Sequence, residues 1–458
     1  SAVGYLARMF YSYDDRYMFT GSFRRDGYSA FGTSNPYANF LSFAFAWTFT
    51  NEDFFNWEPL NLGKLRLSFG QNGNRSLSNS YIALANLTMG SVKQGYIDSS
   101  NSVVDMNYLF VDRLANPTLQ WEKSTSFNVG LDLGFFQNRI SASMEYYFMP
   151  TTDMIMNQSL PSFTGFTSIT TNLGRVDNQG FELTINSQNL KRRNLEWSST
   201  FTFSYNDNKI KSLYGEYETI VNPDGTTVTK EKDDISNKWF IGENINSIWN
   251  YEVTGIWQAD EYEEAAKYGQ KPGDPKVNNS YTADDVDGKP VYNNNDKKIL
   301  GKTVAPVRWS LRNEFKLYKD WTFSFSLYSL MGHKSQDSNY LNNDNSASEV
   351  TSCRNKYAKE YWTPENPTNT YARICAKGPT GIEAPPRVIN RSFIRLENVS
   401  LSYQLPSRWL DKVNIQQAKL FFNTRNVASW ASEWVYGDPE ASNGLISRTY
   451  SVGLNLTL

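Results

Sequence analysis

Hairpin rhythm constrains this chain more than any other feature: long two-faced strands are joined by tight turns at one end and by very long loops at the other. Phe127, Val129, Leu131 and Leu133 alternate with Ser126, Asn128, Gly130 and Asp132. A turn, Phe136-Gln137-Asn138-Arg139, follows, and then Ile140, Ala142, Met144, Tyr146 and Phe148 alternate with Ser141, Ser143, Glu145 and Tyr147. Side chains along a strand point to opposite faces with a period of two. One face of this hairpin is therefore apolar throughout, and the other is small or polar. Strands of soluble sandwiches average about five or six residues. These run to about ten or twelve, the length that crosses a bilayer at a tilt. The expected fold is all-β, a membrane-spanning antiparallel β-barrel with long loops on one side.

Composition agrees with that reading. No run approaches eighteen apolar residues, which excludes a membrane-spanning helix but not a barrel, whose strands show lipid only at every second residue. Aromatic residues make up 15% of the chain; they favour pleated surfaces and form the girdles at both membrane interfaces. A net charge of −2 and the lack of a basic stripe give no reason to expect nucleic acid. The two cysteines, Cys353 and Cys375, share one long polar segment. An oxidising, extracytoplasmic setting would let them pair, and the alternative is two free thiols. Ser1-Ala2-Val3 leads almost directly into a strand, so the export signal is expected upstream.

Thirteen strands are legible, at 3–13, 16–27, 38–50, 61–73, 123–134, 139–150, 177–187, 195–207, 306–317, 320–331, 392–405, 417–427 and 448–458. Connections after the odd-numbered strands are mostly short, as at Asp14-Asp15, Gln137-Asn138, Lys191-Arg192-Arg193 and Tyr318-Lys319. Those after the even-numbered strands are mostly long, covering 74–122, 208–305 and 332–391 in the extreme cases. Outer-membrane barrels pair short periplasmic turns with longer extracellular loops, which puts the C-terminus in the periplasm. Thirteen is odd, whereas a closed bacterial barrel has an even number of antiparallel strands. An N-terminal portion carrying further strands is therefore expected outside this sequence.

Several segments resemble a known family. They are Arg24-Arg25-Asp26-Gly27 with Phe31-Gly32, Leu65-Arg66-Leu67-Ser68-Phe69-Gly70-Gln71-Asn72-Gly73-Asn74, and Asn116-Pro117-Thr118-Leu119-Gln120-Trp121-Glu122-Lys123. Asn178-Gln179-Gly180-Phe181-Glu182-Leu183, Ile394-Arg395-Leu396-Glu397-Asn398-Val399-Ser400-Leu401-Ser402-Tyr403 and the closing Ser451-Val452-Gly453-Leu454-Asn455-Leu456 complete the set. Together they resemble the SusC-like branch of TonB-dependent transporters, in that family's order along nearly the whole chain. The resemblance implies a barrel of 22 strands filled by an N-terminal plug, of which residues 1–458 would supply the last thirteen. Uptake of oligosaccharides, or sometimes peptides, across the outer membrane is the implied function. The implied partners are a SusD-like surface lipoprotein, TonB acting through the N-terminal region, and the plug itself. Membrane lipid and lipopolysaccharide would surround the barrel, and a dimer of transporter–lid pairs is a family expectation. Two departures stand out. The chain ends at Leu458 where relatives commonly end in an aromatic residue, and its acidic loop reads Asp284-Asp285-Val286-Asp287-Gly288.

Candidate sites follow from the loops. Trp239, Trp249, Trp257, Trp362, Trp430 and Trp434, with Tyr436 beside the last, fall in or at the edge of the long loops. Sugar rings stack their C–H faces on aromatic rings while carboxylates take the hydroxyls, and Trp430, Glu433, Trp434, Tyr436 and Asp438 offer that chemistry within one short stretch. Packing within the loop is the alternative, because loops of this length need a core of their own. By alternation Arg8, Arg24, Asp26, Lys64, Arg66, Glu145 and Glu182 project inward, where pairing with plug or water is expected. The acidic loop places Asp285, Asp287 and Gly288 at the third, fifth and sixth positions of a calcium loop. Ala283 and Asn294 would then occupy positions that require carboxylates, so a solvated turn is expected instead. A single histidine, His333, and two distant cysteines support no nucleophilic pair and no metal site. No catalytic residue and no cofactor are expected. A non-transporting outer-membrane adhesin is the rival reading.

Overall fold

The structure, a computed structural model, describes every residue except 1, 75–80, 98–102, 222–225, 342–359, 411–414, 442–443, 445 and 458. One antiparallel sheet contains thirteen strands, and their order in the sheet follows the chain. They are β1 (Ala2–Tyr13), β2 (Tyr17–Tyr28), β3 (Tyr37–Thr48), β4 (Leu60–Asn74), β5 (Glu122–Phe135), β6 (Ile140–Thr152) and β7 (Arg175–Arg192). Then come β8 (Leu195–Ser212), β9 (Val307–Leu317), β10 (Trp321–Met331), β11 (Phe393–Gln404), β12 (Gln417–Ala431) and β13 (Thr449–Thr457). Each expected strand is present. Three run further than the alternation indicated: β7 starts at Arg175 and reaches Arg192, β8 reaches Ser212, and β12 reaches Ala431. The reason is chemical. Beyond the apolar band β7 carries Gln188 and Asn189, and β8 carries Asn206, Asp207 and Asn208, so their backbone pairing continues where the apolar face has stopped. Strand β12 instead extends its apolar face to Trp430.

The short connections are tight because their residues accept the left-handed region. Asp14 and Asp15 sit at φ 51° and 50°, and Gln137 and Asn138 at 57° and 61°. Positive φ at both centre positions matches the twist of a two-residue hairpin, and Asp and Asn tolerate it best. Tyr318 and Lys319 do the same at 51° and 68°, without that chemical help.

The chain divides into two compact units. The first comprises residues 1–191 and 197–245, and so holds β1–β7 and most of β8. Its buried apolar residues gather at the loop end of the strands: Phe31, Phe40, Leu119 and Trp121 in one cluster, Met156, Ile210 and Leu213 in another. Its long loops carry hairpins of their own, Asn86–Ile97 with Val103–Arg113, Ile155–Ser159 with Ser168–Asn172, and Tyr217–Val221 with Thr227–Glu231. Residues 192–196 and 246–458 make the second unit, which holds β9–β13. Its loops add three further small sheets, a helix at Tyr262–Lys267, and a core of Ile256, Tyr340, Leu341, Trp362 and Ala372.

Candidate functional site

In the first unit, register turns sequence alternation into two chemically opposite faces. Phe43 lies opposite Phe69, and Phe69 opposite Phe127, with ring centroids 6.5 and 5.1 Å apart. Phe19 extends the ladder at 6.4 Å from Phe43. These rings are left open to the surroundings: Phe43 and Phe127 are 45% and 47% exposed. A continuous aromatic face of this kind is a surface for lipid rather than water.

The other face is charged. Arg66 lies opposite Gly130, Gly130 opposite Glu145, and Glu145 opposite Glu182. Arg8 and Arg24 share that face through Ser22, which pairs with Arg8 and stands two residues before Arg24. Because Gly130 has no side chain, the Arg66 guanidinium can lie across it; a Cβ there would sit 2.8 Å from the guanidinium carbon. Arg66 thereby reaches Asp132 at 2.8 and 3.1 Å and Glu145 at 3.4 Å, tying three strands together. Arg24 and Asp26 form an ion pair of 2.7 Å within β2.

At the loop end, the family-like motifs turn out to be masonry. Gly32 donates its amide to the Leu119 carbonyl at 2.9 Å, and its Cα approaches Pro117 so closely that a Cβ would stand 2.0 Å from the Pro117 oxygen. Leu119 and Trp121 are buried beneath, with Phe31 and Trp121 ring centroids 4.7 Å apart. Asn116 donates to the Thr170 carbonyl at 2.8 Å, and Asn172 exchanges bonds of 2.7 and 2.8 Å with the Gln120 backbone. The hairpin Ile155–Asn172 is thus pinned against the Asn116–Trp121 segment.

In the second unit the aromatic residues named above take separate places. Trp362 is buried in the loop core and donates its indole N–H to Gln258 at 3.0 Å. Trp430 pairs with Ile394 on β11, and Ile394 pairs with Ser329, which shares a face with Leu327, Phe325 and Phe323 on β10. Trp430 is therefore on the apolar face near its loop end, where a membrane barrel carries its aromatic girdle. Tyr436 is buried, donating to Asp337 at 2.9 Å and accepting from Arg387 at 3.3 Å. Asp438 is buried as well, bonded to the Arg395 guanidinium at 2.8 Å. Trp434 is half-buried, crossing Tyr436 edge-on at 5.7 Å beneath the Arg391 guanidinium at 4.6 Å. Glu433 accepts from the Asn390 amide at 2.7 Å. The stretch acts as a clasp that folds its loop onto the strand ends. Burial would raise the Asp438 carboxyl, but the Arg395 hydrogen bond and the Glu440 backbone amide outweigh it and hold the group below the usual carboxylate range. The acidic stretch is a turn in which Asp285 accepts from Asn279 and Val291 at 3.0 Å each. Cys375 is exposed; Cys353 lies outside the described residues.

The alternation pattern passed over one site. A cavity of about 310 Å³ opens between the pinned hairpin and the loop after β8, lined by Met154, Met156, Val176, Ile210, Leu213 and Trp239 among others. Its signal in the sequence is Trp239 among the loop tryptophans; the other lining residues are isolated apolar positions inside stretches otherwise read as polar loop. Beside it Tyr214 donates to Asp234 at 2.8 Å. Burial and that carboxylate push the Tyr214 hydroxyl up to about 12, so it remains a donor.

Residues 4–427 match the family described as "TonB dependent receptor-like, beta-barrel". The chain belongs to that family. Barrels of TonB-dependent receptors are outer-membrane proteins, which accounts for the exposed aromatic face. TonB-dependent receptor P26 of Formosa agariphila is 29% identical over 483 residues, covering 99% of this chain and 46% of the relative. TonB-dependent receptor SusC of Bacteroides thetaiotaomicron is 26% identical over 470 residues, covering 100% and 43%. Among solved structures, the RagAB peptide importer in its open-open state superposes with a TM-score of 0.76 at 23% identity, covering 100% of this chain and 47% of that one. The chain spans less than half the length of these TonB-dependent relatives.

Proposed function

We propose that this chain supplies barrel strands and external loops to a SusC-like importer that takes up oligosaccharides by TonB-dependent transport, closed from outside by a SusD-like lipoprotein. One observation carries the reading: a one-sided meander whose faces divide into an aromatic ladder and a row of ion pairs. Such a sheet suits lipid on one side and a polar, plug-filled lumen on the other. The long loops then stand outside the cell, where the lid would sit. Cargo is carried through without chemical change, and TonB acts on the plug. A second cargo class, oligopeptides, is favoured by a specific observation. The apolar cavity is poor in groups for sugar hydroxyls, while Tyr436 and Asp438 are already engaged by Asp337 of the loop after β10 and by Arg395 of β11.

The test is purification of the full-length transporter from the outer membrane of its source. Co-purification of a surface lipoprotein, with stabilisation of the pair by either an oligosaccharide or an oligopeptide mixture, is the expected result. A full-length protein that fractionates as soluble, or that extracts without a lipoprotein and responds to neither mixture, overturns the proposal.

A further inference from the structure

We propose that the cavity between the Ile155–Asn172 hairpin and the loop after β8 is a pocket for one bulky apolar side chain of a peptide cargo. The inference deepens the oligopeptide reading and rests on it. Position is the first argument. Glu182 lies opposite Glu145, and Gly180 opposite Tyr147, whose hydroxyl bonds Asn206 at 2.8 Å. Val176 and Ile210 are even steps from Gly180 and Asn206 along β7 and β8, so they lie on the same charged face. The pocket therefore opens at the loop end of the face that would line the import route.

Chemistry is the second argument. Met156, Ile210 and Leu213 form a buried apolar floor. Thioethers adapt to many shapes, so Met154 and Met156 suit a site that must accept varied side chains. The polar wall groups are few. Asn157 already accepts from Thr170 at 2.7 Å, and Asn237 already donates to Asp234 at 2.8 Å. A sugar ring entering here would give up water from several hydroxyls with few replacement partners, chiefly Asn157 and Ser212, whereas a leucine or phenylalanine side chain would lose nothing polar. At about 310 Å³ the space is at the lower end of ligand pockets, right for a side chain rather than a whole oligomer.

The rest of a peptide has somewhere to go. A second, polar recess of about 220 Å³ is lined by the next residues of the same segments, including Gln158, Ser159, Tyr214, Glu216 and Lys232. Its exposed rim carries both charge signs, fitting the amide backbone and termini of a short peptide. Both walls are firmly set. Asp153 and Gly174, at φ 55° and 78°, turn the chain sharply at the two ends of the hairpin, and a Cβ on Gly174 would stand 3.1 Å from the Ser212 oxygen.

The experiment uses the full-length transporter with its lipoprotein in detergent. Glycine-rich tetrapeptides carrying Gly, Leu or Phe at one position are titrated by calorimetry, with Trp239 fluorescence as a local reporter. The Leu and Phe peptides should bind at least about tenfold tighter than the Gly peptide, as expected for burying one large apolar side chain. Filling the pocket with Ser212→Phe should erase that preference while leaving Gly-peptide binding in place. Met154→Ala, which enlarges the pocket without adding bulk, should shift preference towards the larger Phe. Peptide binding with no such preference, or a preference untouched in folded Ser212→Phe protein, overturns the pocket and leaves peptide import standing. Binding of oligosaccharides but of no peptide overturns the oligopeptide reading and the pocket with it.

Discussion

A methyl group on Gly32 would collide with the Pro117 carbonyl, and that one contact explains why two motifs far apart in sequence occur together: each is the other's packing surface. The same holds for Asp438. It balances Arg395, which is only 1% exposed and has, among the described residues, just one further carboxylate, the more exposed Glu440 at 3.2 Å. Removing the main partner of a buried charge leaves it poorly compensated. Asp438→Ala should therefore loosen the clasp by about 3 kcal/mol, read as faster hydrogen exchange at the Glu440 and Ala441 amides, with the sheet amides unchanged. The pH dependence has a definite sign. A carboxyl held below its unfolded value stabilises above about pH 4 and loses that contribution as pH falls further. Protection of those two amides, taken relative to the intrinsic exchange rate at each pH, should be flat from about pH 8 to 5 and fall below about 4 in the native protein. Residue types were legible at this scale, but roles were not. Trp, Tyr and Asp beside one another serve a sugar platform and a loop clasp equally well, and only the partners Asp337 and Arg395, distant in sequence, separate the two uses.

Elements were legible where one face had to be apolar. All thirteen sheet strands follow from period-two alternation, and the largest end errors occur where β7 and β8 leave the apolar band and where β12 runs on to Ala431. The longer loop hairpin, Asn86–Ile97 with Val103–Arg113, lies inside a stretch read as one long loop. The shorter ones were not read, because strands such as Ile155–Ser159 are too short to show a period and are held by tertiary bonds. Asn172 shows this dependence: it bonds Gln120 twice and the Asp153 carbonyl at 2.8 Å. Asn172→Ala should free the hairpin without melting the sheet, at a cost of roughly 2 kcal/mol from bonds left unmade. Chymotrypsin would then cut at Phe163, which stands 88% exposed at the hairpin tip, much faster than in the native protein. Equal cutting rates would show that the pinning bonds contribute little.

For the molecule as a whole, direction across the membrane is the property that matters, and Cys375 reports it. Exposed on the long-loop side, it should react with a membrane-impermeant maleimide added to intact cells. A bridge to Cys353, as the shared polar segment suggests, predicts labelling only after a reductant. Labelling that requires access from the periplasm would reverse the proposed orientation. The meander itself was legible from connection lengths, since a two-sided environment explains why the longest connections all fall after even-numbered strands.

The left-handed pairs at Asp14-Asp15, Gln137-Asn138 and Tyr318-Lys319 close their hairpins with almost no spare chain. A sheet closed this tightly at one rim can change its length only at the other. Over evolutionary time, new specificity in such a protein has to be written as insertions on a single side. In the proposed orientation, the part of the molecule that is free to diverge would be the part that faces the environment.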